Sequence, residues 1–152
     1  MRVYRLCRAA HRALDGEGTR LWGGRWNSPG RPVVYTSASL SLTALEYLVH
    51  VDPADAPADL VALTIEVPDD APGETVRVAD LPAGWERVPE SAPCREAGDA
   101  WLRAGRALLL RVPSALIPEE ENVLLDPRHA GARRVRVLAE RAFAFDARLM
   151  LR

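Results

Sequence analysis

The sequence predicts a single α+β domain that contains several short strands and two or three helices. The chain of 152 residues is long enough to bury one sizeable core and too short for two. A composition of 48% hydrophobic and 27% charged residues is ordinary for a globular protein and argues against disorder. Short β-branched runs and segments of helical periodicity share the chain, with no internal repeat or evident domain boundary. Residues 1–152 are therefore interpreted as one domain.

The first half of the chain is organised around a stretch that begins at Gly23 and ends at Glu46. A glycine pair opens this stretch and allows a sharp turn, and residues 27–30 are a second turn signal. Ser39 can cap a helix whose apolar stripe consists of Leu42, Leu45, Leu48 and Val49. The predicted elements are, in order, a weakly alternating strand at 3–6, a helical turn or loop at 11–18, a β-branched and aromatic strand at 33–36, and a helix from 39 to about 49.

The second half of the chain combines apolar strands with proline-rich connections. Pro68 and Pro113 end two of these strands, since proline cannot donate to a sheet ladder. Trp85 lies in an irregular loop and is expected to pack onto the core. The predicted elements are, in order, a surface connection at 52–59, strands at 60–67 and 75–78, a loop at 81–93, a helix at 95–106, a strand at 107–112, a charged turn at 119–122 that leads to a strand at 123–125, and last strands at 133–138 and 142–145.

Charge and motif patterns exclude several classes of function. A net charge of −1, from 20 basic and 21 acidic residues, gives no overall positive field for nucleic acid. The basic residues are all arginine, which excludes a Schiff-base lysine and a P-loop lysine. The G-x-G-x-x-G, Walker A and G-x-S-x-G motifs are absent. A standard dinucleotide-binding fold and an α/β-hydrolase are therefore disfavoured.

Cysteine, histidine and hydropathy patterns predict a metal-free protein of the cytoplasm. Cys7 and Cys94 lack any paired spacing, and the three histidines form no metal-spaced pair, so neither a disulfide framework nor a zinc site is expected. Arginines interrupt the apolar residues near the N-terminus, and no run approaches ~20 apolar residues. We therefore expect no metal, no membrane segment, no direct contact with nucleic acid, and a cytoplasmic location.

Four residues are candidates for a functional site, although each has an ordinary structural alternative. Arg25 follows the glycine pair, which favours an oriented guanidinium able to grip phosphate oxygens over a surface arginine. Tyr35 lies on a predicted strand, where most tyrosines simply pack with a satisfied hydroxyl. Glu46 lies at the border of the apolar stripe, so it is expected to face a cleft. Ser114 follows Val-Pro and is equally reasonable as a turn serine.

Five segments, taken in order, resemble the RES domain, which is the toxin half of RES–Xre toxin–antitoxin pairs. They are R-W-N-S-P-G-R-P-V-V-Y, S-L-S-L-T-A-L-E, G-D-A-W-L, L-R-V-P-S-A-L-I-P and N-V-L-L-D-P. No single segment is decisive, but their order and spacing together are specific and cover essentially the whole chain. The resemblance implies a mixed sheet with a few helices, similar to ADP-ribosyltransferases, and NAD+ as the substrate.

The resemblance also implies roles for individual residues. Arg25, Tyr35, Glu46 and Ser114 occupy the family's functional positions, and Arg5 corresponds to an arginine of its N-terminal strand. Glu46 would hold a ribose hydroxyl and stabilise the oxocarbenium-like transition state. Tyr35 would stack on nicotinamide or ribose, while Arg25 and Arg5 would neutralise the diphosphate. Ser114 would contact the ribose or the leaving amide.

Three functions are compatible with this resemblance. The first is a toxin that degrades NAD+ by hydrolysis or phosphorolysis, in which case phosphate is a second substrate. The second is a mono-ADP-ribosyltransferase that modifies a cellular protein, and the third is a non-catalytic interaction module. For the first two, the resemblance implies an Xre-type helix-turn-helix antitoxin whose C-terminal part blocks the cleft.

Overall fold

The computed structural model describes residues 1–52, 55–89 and 92–151. The predicted connection at 52–59 and the predicted loop at 81–93 therefore each include two residues outside this description. In chain order, the strands and α-helices are β1 Arg2–Arg8, α1 Glu17–Trp22, β2 Val34–Ser37, α2 Leu40–Leu48, β3 Leu60–Glu66, β4 Gly73–Thr75, α3 Ala92–Ala104, β5 Leu109–Pro113, β6 Glu121–Leu125 and β7 Arg136–Ala142. None of the helices in the described ranges is long and apolar enough to cross a membrane.

The strands form one seven-stranded mixed sheet, which confirms the α+β prediction. Their order is β4-β5-β6-β2-β1-β3-β7. β4 and β5 are parallel, and the other neighbouring strands pair antiparallel. The short strand β2 lies between β1 and β6, with Ser37 opposite Tyr4 on one side and opposite Asn122 on the other. The sheet therefore brings residues from both halves of the chain to the end of β2.

Side chains alternate between the two faces of the sheet, and different elements pack on each face. One face carries an apolar cluster that includes Val3, Leu63 and Val123 and packs against loops and a short 3-10 helix, Ala130–Arg134. On the opposite face, α2 contributes to a cluster with Leu6, and α3 contributes to a cluster with Leu124. β2 lies between the areas that these two helices cover, and Tyr35 and Ser37 point to this same face.

Most predicted elements of the first half are confirmed. The Ser39 hydroxyl accepts a hydrogen bond from the Leu42 amide at 3.1 Å, which caps α2 as expected. The apolar stripe is only half correct, because Leu42 is buried whereas Leu45 and Val49 are exposed. Helix α1 was not predicted as a helix, because Gly18 and the polar residues weaken the periodic signal. The strand at 60–67 is confirmed as β3.

The second half contains two corrections. The strand predicted at 75–78 is wrong: β4 ends at Thr75, and a 3-10 helix follows at Val78–Asp80 because the Asp80 carboxylate accepts the Arg77 amide at 3.0 Å. The two last strands are one strand, β7, preceded by the 3-10 helix at 130–134. The other elements are confirmed with shifted ends. Trp85 is 4% exposed and packs against Trp26, as predicted.

Candidate functional site

The carboxylate of Glu46 lies at the centre of a polar cluster between α2 and the β5–β6 strands. Its Oε1 atom accepts a hydrogen bond of 2.8 Å from the Ser114 hydroxyl and one of 2.6 Å from the Asn122 amide. The Ser37 hydroxyl donates in turn to the Asn122 Oδ1 atom at 2.6 Å, which fixes the orientation of that amide. The structure therefore brings together two of the predicted site residues, Glu46 and Ser114.

The second oxygen of Glu46 is available to a ligand. Within the described residues, Oε2 accepts no hydrogen bond and Glu46 forms no ion pair. Glu46 is partly exposed, and it projects from the middle of α2 towards the end of β2. A carboxylate with one oxygen held by two donors and the other unoccupied is suited to accept hydrogen bonds from hydroxyl groups.

Ser114 makes all the hydrogen bonds of which its hydroxyl is capable within the protein. Its side chain is 0% exposed, and its hydroxyl accepts from the amides of Leu116 and Ile117, both at 3.1 Å, while donating to Glu46. A hydroxyl has one donor and two lone pairs, so these contacts exhaust its capacity. The expectation that Ser114 contacts a ribose or an amide is therefore not supported. Its geometry is that of a residue that positions Glu46.

Tyr35 holds the loop that carries Arg25. Its hydroxyl donates to the Asn27 Oδ1 atom at 2.7 Å and accepts from the Trp26 amide at 3.0 Å. Burial raises the pKa of this phenol well above its ordinary value, with Arg25 and Arg95 acting in the opposite direction. The glycine pair is required here, since a Cβ on Gly24 would lie 2.7 Å from the Tyr35 hydroxyl.

Backbone carbonyls of the loop that contains Trp85 orient the Arg25 side chain. Its Nη1 atom donates to the Trp85 carbonyl at 2.9 Å and to the Arg87 carbonyl at 3.1 Å. Arg25 is partly exposed, and in the described part of the chain no carboxylate pairs with it. A guanidinium held on one edge presents its remaining N–H groups to an acceptor, which agrees with the sequence argument for an oriented cation.

Arg5 is not brought to this site. Tyr4 faces the side of the sheet that carries Ser37, so Arg5 points to the other side. Its guanidinium donates to the carbonyls of Ala13 at 2.9 Å and His11 at 3.1 Å. The structure therefore does not join Arg5 to Arg25 and Tyr35, and Arg5 supports the loop after β1.

A surface cavity lies elsewhere. It measures about 450 Å³ and is lined by residues that include Leu102, Asp126 and His129. Asp126 already accepts from the Arg128 amide at 2.9 Å and lies 3.5 Å from the Arg128 Nε atom. Across residues 1–52, 55–89 and 92–151, no group of three or more His, Cys, Asp or Glu side chains could hold a metal ion. The candidate site is therefore the Glu46 cluster.

Sequence reasoning did not single out Asn122, Ser37 or Asn27. Asn122 was read as part of a charged turn, although it stands in the segment N-V-L-L-D-P that carries part of the RES resemblance. Ser37 and Asn122 become partners only through the β2–β6 register. Asn27 was interpreted only as a turn signal, yet it is 0% exposed and also donates to the carbonyls of Thr19 and Arg31.

Comparisons with known proteins agree with this architecture. The sequence matches the RES domain family over residues 2–146. It is 42% identical over 146 residues to a protein named Toxin Res from Pseudomonas putida, covering 93% of this chain and 95% of that protein. It is also 35% identical over 139 residues to the Prs ADP-ribosylating toxin of a Sphingobium species, covering 90% of this chain and 86% of that protein.

A solved structure has the same fold. The M. tuberculosis MbcT–MbcA toxin–antitoxin complex contains a chain that matches with a TM-score of 0.75 at 22% identity, over 94% of this chain and 84% of that one. The fold is therefore that of a toxin from a toxin–antitoxin complex. The chain belongs to the RES domain family, and the recognition made from its sequence segments is confirmed.

Proposed function

We propose that this protein is a toxin that degrades NAD+ by breaking its nicotinamide–ribose bond. The observation that carries the proposal is the Glu46 carboxylate, with Oε1 held by Ser114 and Asn122 and with Oε2 unoccupied among the described residues. Breaking this bond develops positive charge on the ribose, as in glycoside cleavage. A fixed carboxylate beside the ribose stabilises that charge and also accepts a hydrogen bond from a ribose hydroxyl.

Departure of nicotinamide requires few further catalytic groups from the protein. Nicotinamide is cationic in NAD+ and departs neutral once its ring nitrogen takes the bonding electron pair, so a general acid is not required. Water or phosphate then forms the new bond to the ribose carbon. The protein's tasks are to bind, to orient and to stabilise charge, which are tasks for the kinds of residue in the cleft.

In this proposal Arg25 binds the anionic part of the same substrate. Its guanidinium is held on one edge by two carbonyl oxygens and is free of carboxylates within the described residues. Tyr35 stabilises this loop through its hydroxyl, and its partly exposed ring offers a surface for stacking. In this proposal Glu46 and Arg25 contact NAD+ directly, while Ser114 and Asn122 position Glu46.

A second candidate is transfer of ADP-ribose to a protein. The name of the Sphingobium relative, Prs ADP-ribosylating toxin, favours it for this chain. The bond cleavage is the same and only the acceptor differs. The two candidates are separated by whether label from NAD+ remains on small molecules or appears on a macromolecule.

The proposal includes an antitoxin partner. The structural match is to a toxin within a toxin–antitoxin complex, and the RES resemblance implies an antitoxin of the Xre helix-turn-helix type. Such a partner would inhibit this protein by covering the cleft between α2 and α3. Co-expression with a neighbouring helix-turn-helix reading frame is expected to restore growth.

The test is the NAD+ concentration over time after induction, in cells without antitoxin. We expect rapid depletion with the unaltered chain and a rate lower by about 10²–10³ with Glu46→Gln, which retains shape but removes the charge. Glu96→Gln is the matched control, because Glu96 is exposed on α3. Purified protein with and without phosphate then identifies the acceptor from the products. NAD+ that stays intact under both conditions would contradict degradation.

A further inference from the structure

The Arg95 side chain contains a buried nitrogen atom that has no hydrogen-bond partner among the described residues. In the described part of the chain, the Nε atom of Arg95 is the one buried side-chain nitrogen or oxygen without a hydrogen-bond partner. Arg95 as a whole is partly exposed, so the rest of its guanidinium extends from the buried Nε atom towards the surface. Leaving a buried donor unsatisfied is unfavourable. Such a group is stabilised when a ligand supplies the missing acceptor.

The fold places the first turns of α3 along the loop that carries Arg25. The Trp85 carbonyl that accepts from Arg25 at 2.9 Å also lies 3.8 Å from the Cys94 sulfur, next to Arg95. One turn later, Gly98 packs so closely that a Cβ there would lie 1.7 Å from the Trp26 carbonyl oxygen. Asp99 then accepts from the Ser28 amide at 3.0 Å. Residues 98–99 therefore pack on residues 26–28, and Cys94 shares the Trp85 carbonyl with Arg25.

The charges around these two arginines do not cancel locally. Burial raises the pKa of the Tyr35 phenol and both guanidinium groups lower it, and the Tyr35 hydroxyl accepts from the Trp26 amide next to Arg25. Asp99 on α3 is occupied by the Ser28 amide and hydroxyl and lies 3.5 Å from the Arg31 Nε atom. No carboxylate of the described residues pairs with Arg25 or Arg95. Two unpaired guanidiniums on segments that contact the same Trp85 carbonyl attract an anion that carries more than one charge.

We propose that Arg95 and Arg25 together bind the diphosphate of a dinucleotide, with Arg95 as a second binding residue for the substrate. This inference rests on the proposed function, in which Glu46 lies beside the ribose. Tyr35 and Ser37 are neighbours on one face of β2, about 7 Å apart. The loop that carries Arg25 is bonded to the Tyr35 hydroxyl, and the Glu46 cluster includes Ser37, so the cation and carboxylate ends are separated along β2. A ribose separates the reacting bond from the diphosphate in the same order.

The test is direct binding of ADP-ribose, measured by calorimetry, with adenosine as a ligand that lacks phosphate. Arg95→Gln is expected to weaken ADP-ribose binding by about 10-fold to 100-fold, because it removes hydrogen bonds to a charged group. Arg95→Lys retains the charge but not the planar fork, so a smaller loss is expected. Arg103→Gln is the matched control, since Arg103 is exposed near the end of the same helix. Binding of adenosine should not change in any variant.

The outcomes separate this proposal from the proposed function. An ADP-ribose affinity that Arg95→Gln leaves within about twofold of the unaltered protein would overturn the role of Arg95, whatever the rate of NAD+ turnover. Equal weakening by Arg103→Gln would also overturn it, because the effect would then be general electrostatics. A loss specific to Arg95, in a protein that never consumes NAD+, would support the diphosphate site and contradict the proposed reaction. Arg95→Lys decides the question if Arg95→Gln does not fold.

Discussion

An Asn122→Asp substitution turns the donor that holds Glu46 into an acceptor without changing its shape. The amide nitrogen lies 2.6 Å from the Glu46 Oε1 atom, so the substitution places two carboxylates in contact. Two carboxylates at this separation cannot both ionise cheaply, and the pair retains one proton to a higher pH than either group alone. The perturbation therefore introduces a pH-dependent term into the stability of the protein.

The magnitude follows from Coulomb's law. Two unit charges about 4 Å apart repel by about 4 kcal/mol at an effective dielectric constant near 20. Both positions are partly exposed, so we reduce the repulsion for solvent screening to about 2 kcal/mol, equivalent to a rise of about 1.5 in the pKa of the pair. The folded state then binds a proton that the unfolded state releases, between about pH 4 and pH 6. The variant should lose stability as the pH rises through that range.

Urea unfolding measures this directly, because the four tryptophans provide a fluorescence signal. The difference in unfolding free energy between Asn122→Asp and the unaltered protein should be smallest near pH 4 and should grow by about 2 kcal/mol by about pH 7. The control is the same substitution combined with Glu46→Gln, in which the pH dependence of the difference should disappear. Parallel pH profiles for the single variant and the unaltered protein would refute the close contact between Glu46 and residue 122.

Three further predictions concern the residues that shape the cleft. Gly98→Ala should destabilise the fold by about 1–3 kcal/mol or more, because its Cβ would collide with the Trp26 carbonyl. The control is Gly18→Ala, which has open space around it and should be neutral or slightly stabilising. The urea unfolding midpoint measures both effects. Ser114→Ala should cost about 1–3 kcal/mol of unfolding free energy, since two backbone amides and Glu46 lose their partner. Tyr35→Phe should lower stability at neutral pH, but its deficit should shrink above about pH 10. The folded protein holds the phenol proton more tightly than the unfolded chain, so the unaltered protein loses stability with rising pH there and the variant does not.

The Glu46 side of the cleft could be predicted because its signals are local. The helix of Glu46 follows from its apolar spacing and from the Ser39 cap, both of which operate within a few residues. The position of Glu46 beside the buried Leu42 agrees with its contacts to Ser114 and Asn122. The position of Arg25 after two glycines was also informative. Each of these predictions depends on contacts close in sequence.

The partners of Glu46 could not be predicted, because they come from distant parts of the chain. Ser114 and Asn122 are 68 and 76 residues away in sequence and reach Glu46 only through the order of β5, β6 and β2. The RES resemblance indicated Ser114 as functional but not that its hydroxyl is fully used inside the protein. The position of Arg5 could not be predicted for the same reason. Strand alternation places Arg5 and Tyr4 on opposite faces of the sheet, but only the pairing of Tyr4 with Ser37 shows which face carries the site.

The two ends of the cleft depend on different contacts, and this has a consequence for how substitutions should act. Glu46 is held from the β5–β6 side through Ser114 and Asn122. The cation end is held by the packing of α3 on the Arg25 loop, with Gly98 at the closest approach. A change at Gly98 should therefore disturb anion binding while leaving the pH-dependent contact between Glu46 and an aspartate at position 122 intact. We therefore expect the proposed anion binding and the electrostatics of the carboxylate to be separable, because β2 connects two clusters that share no hydrogen bond among the described residues.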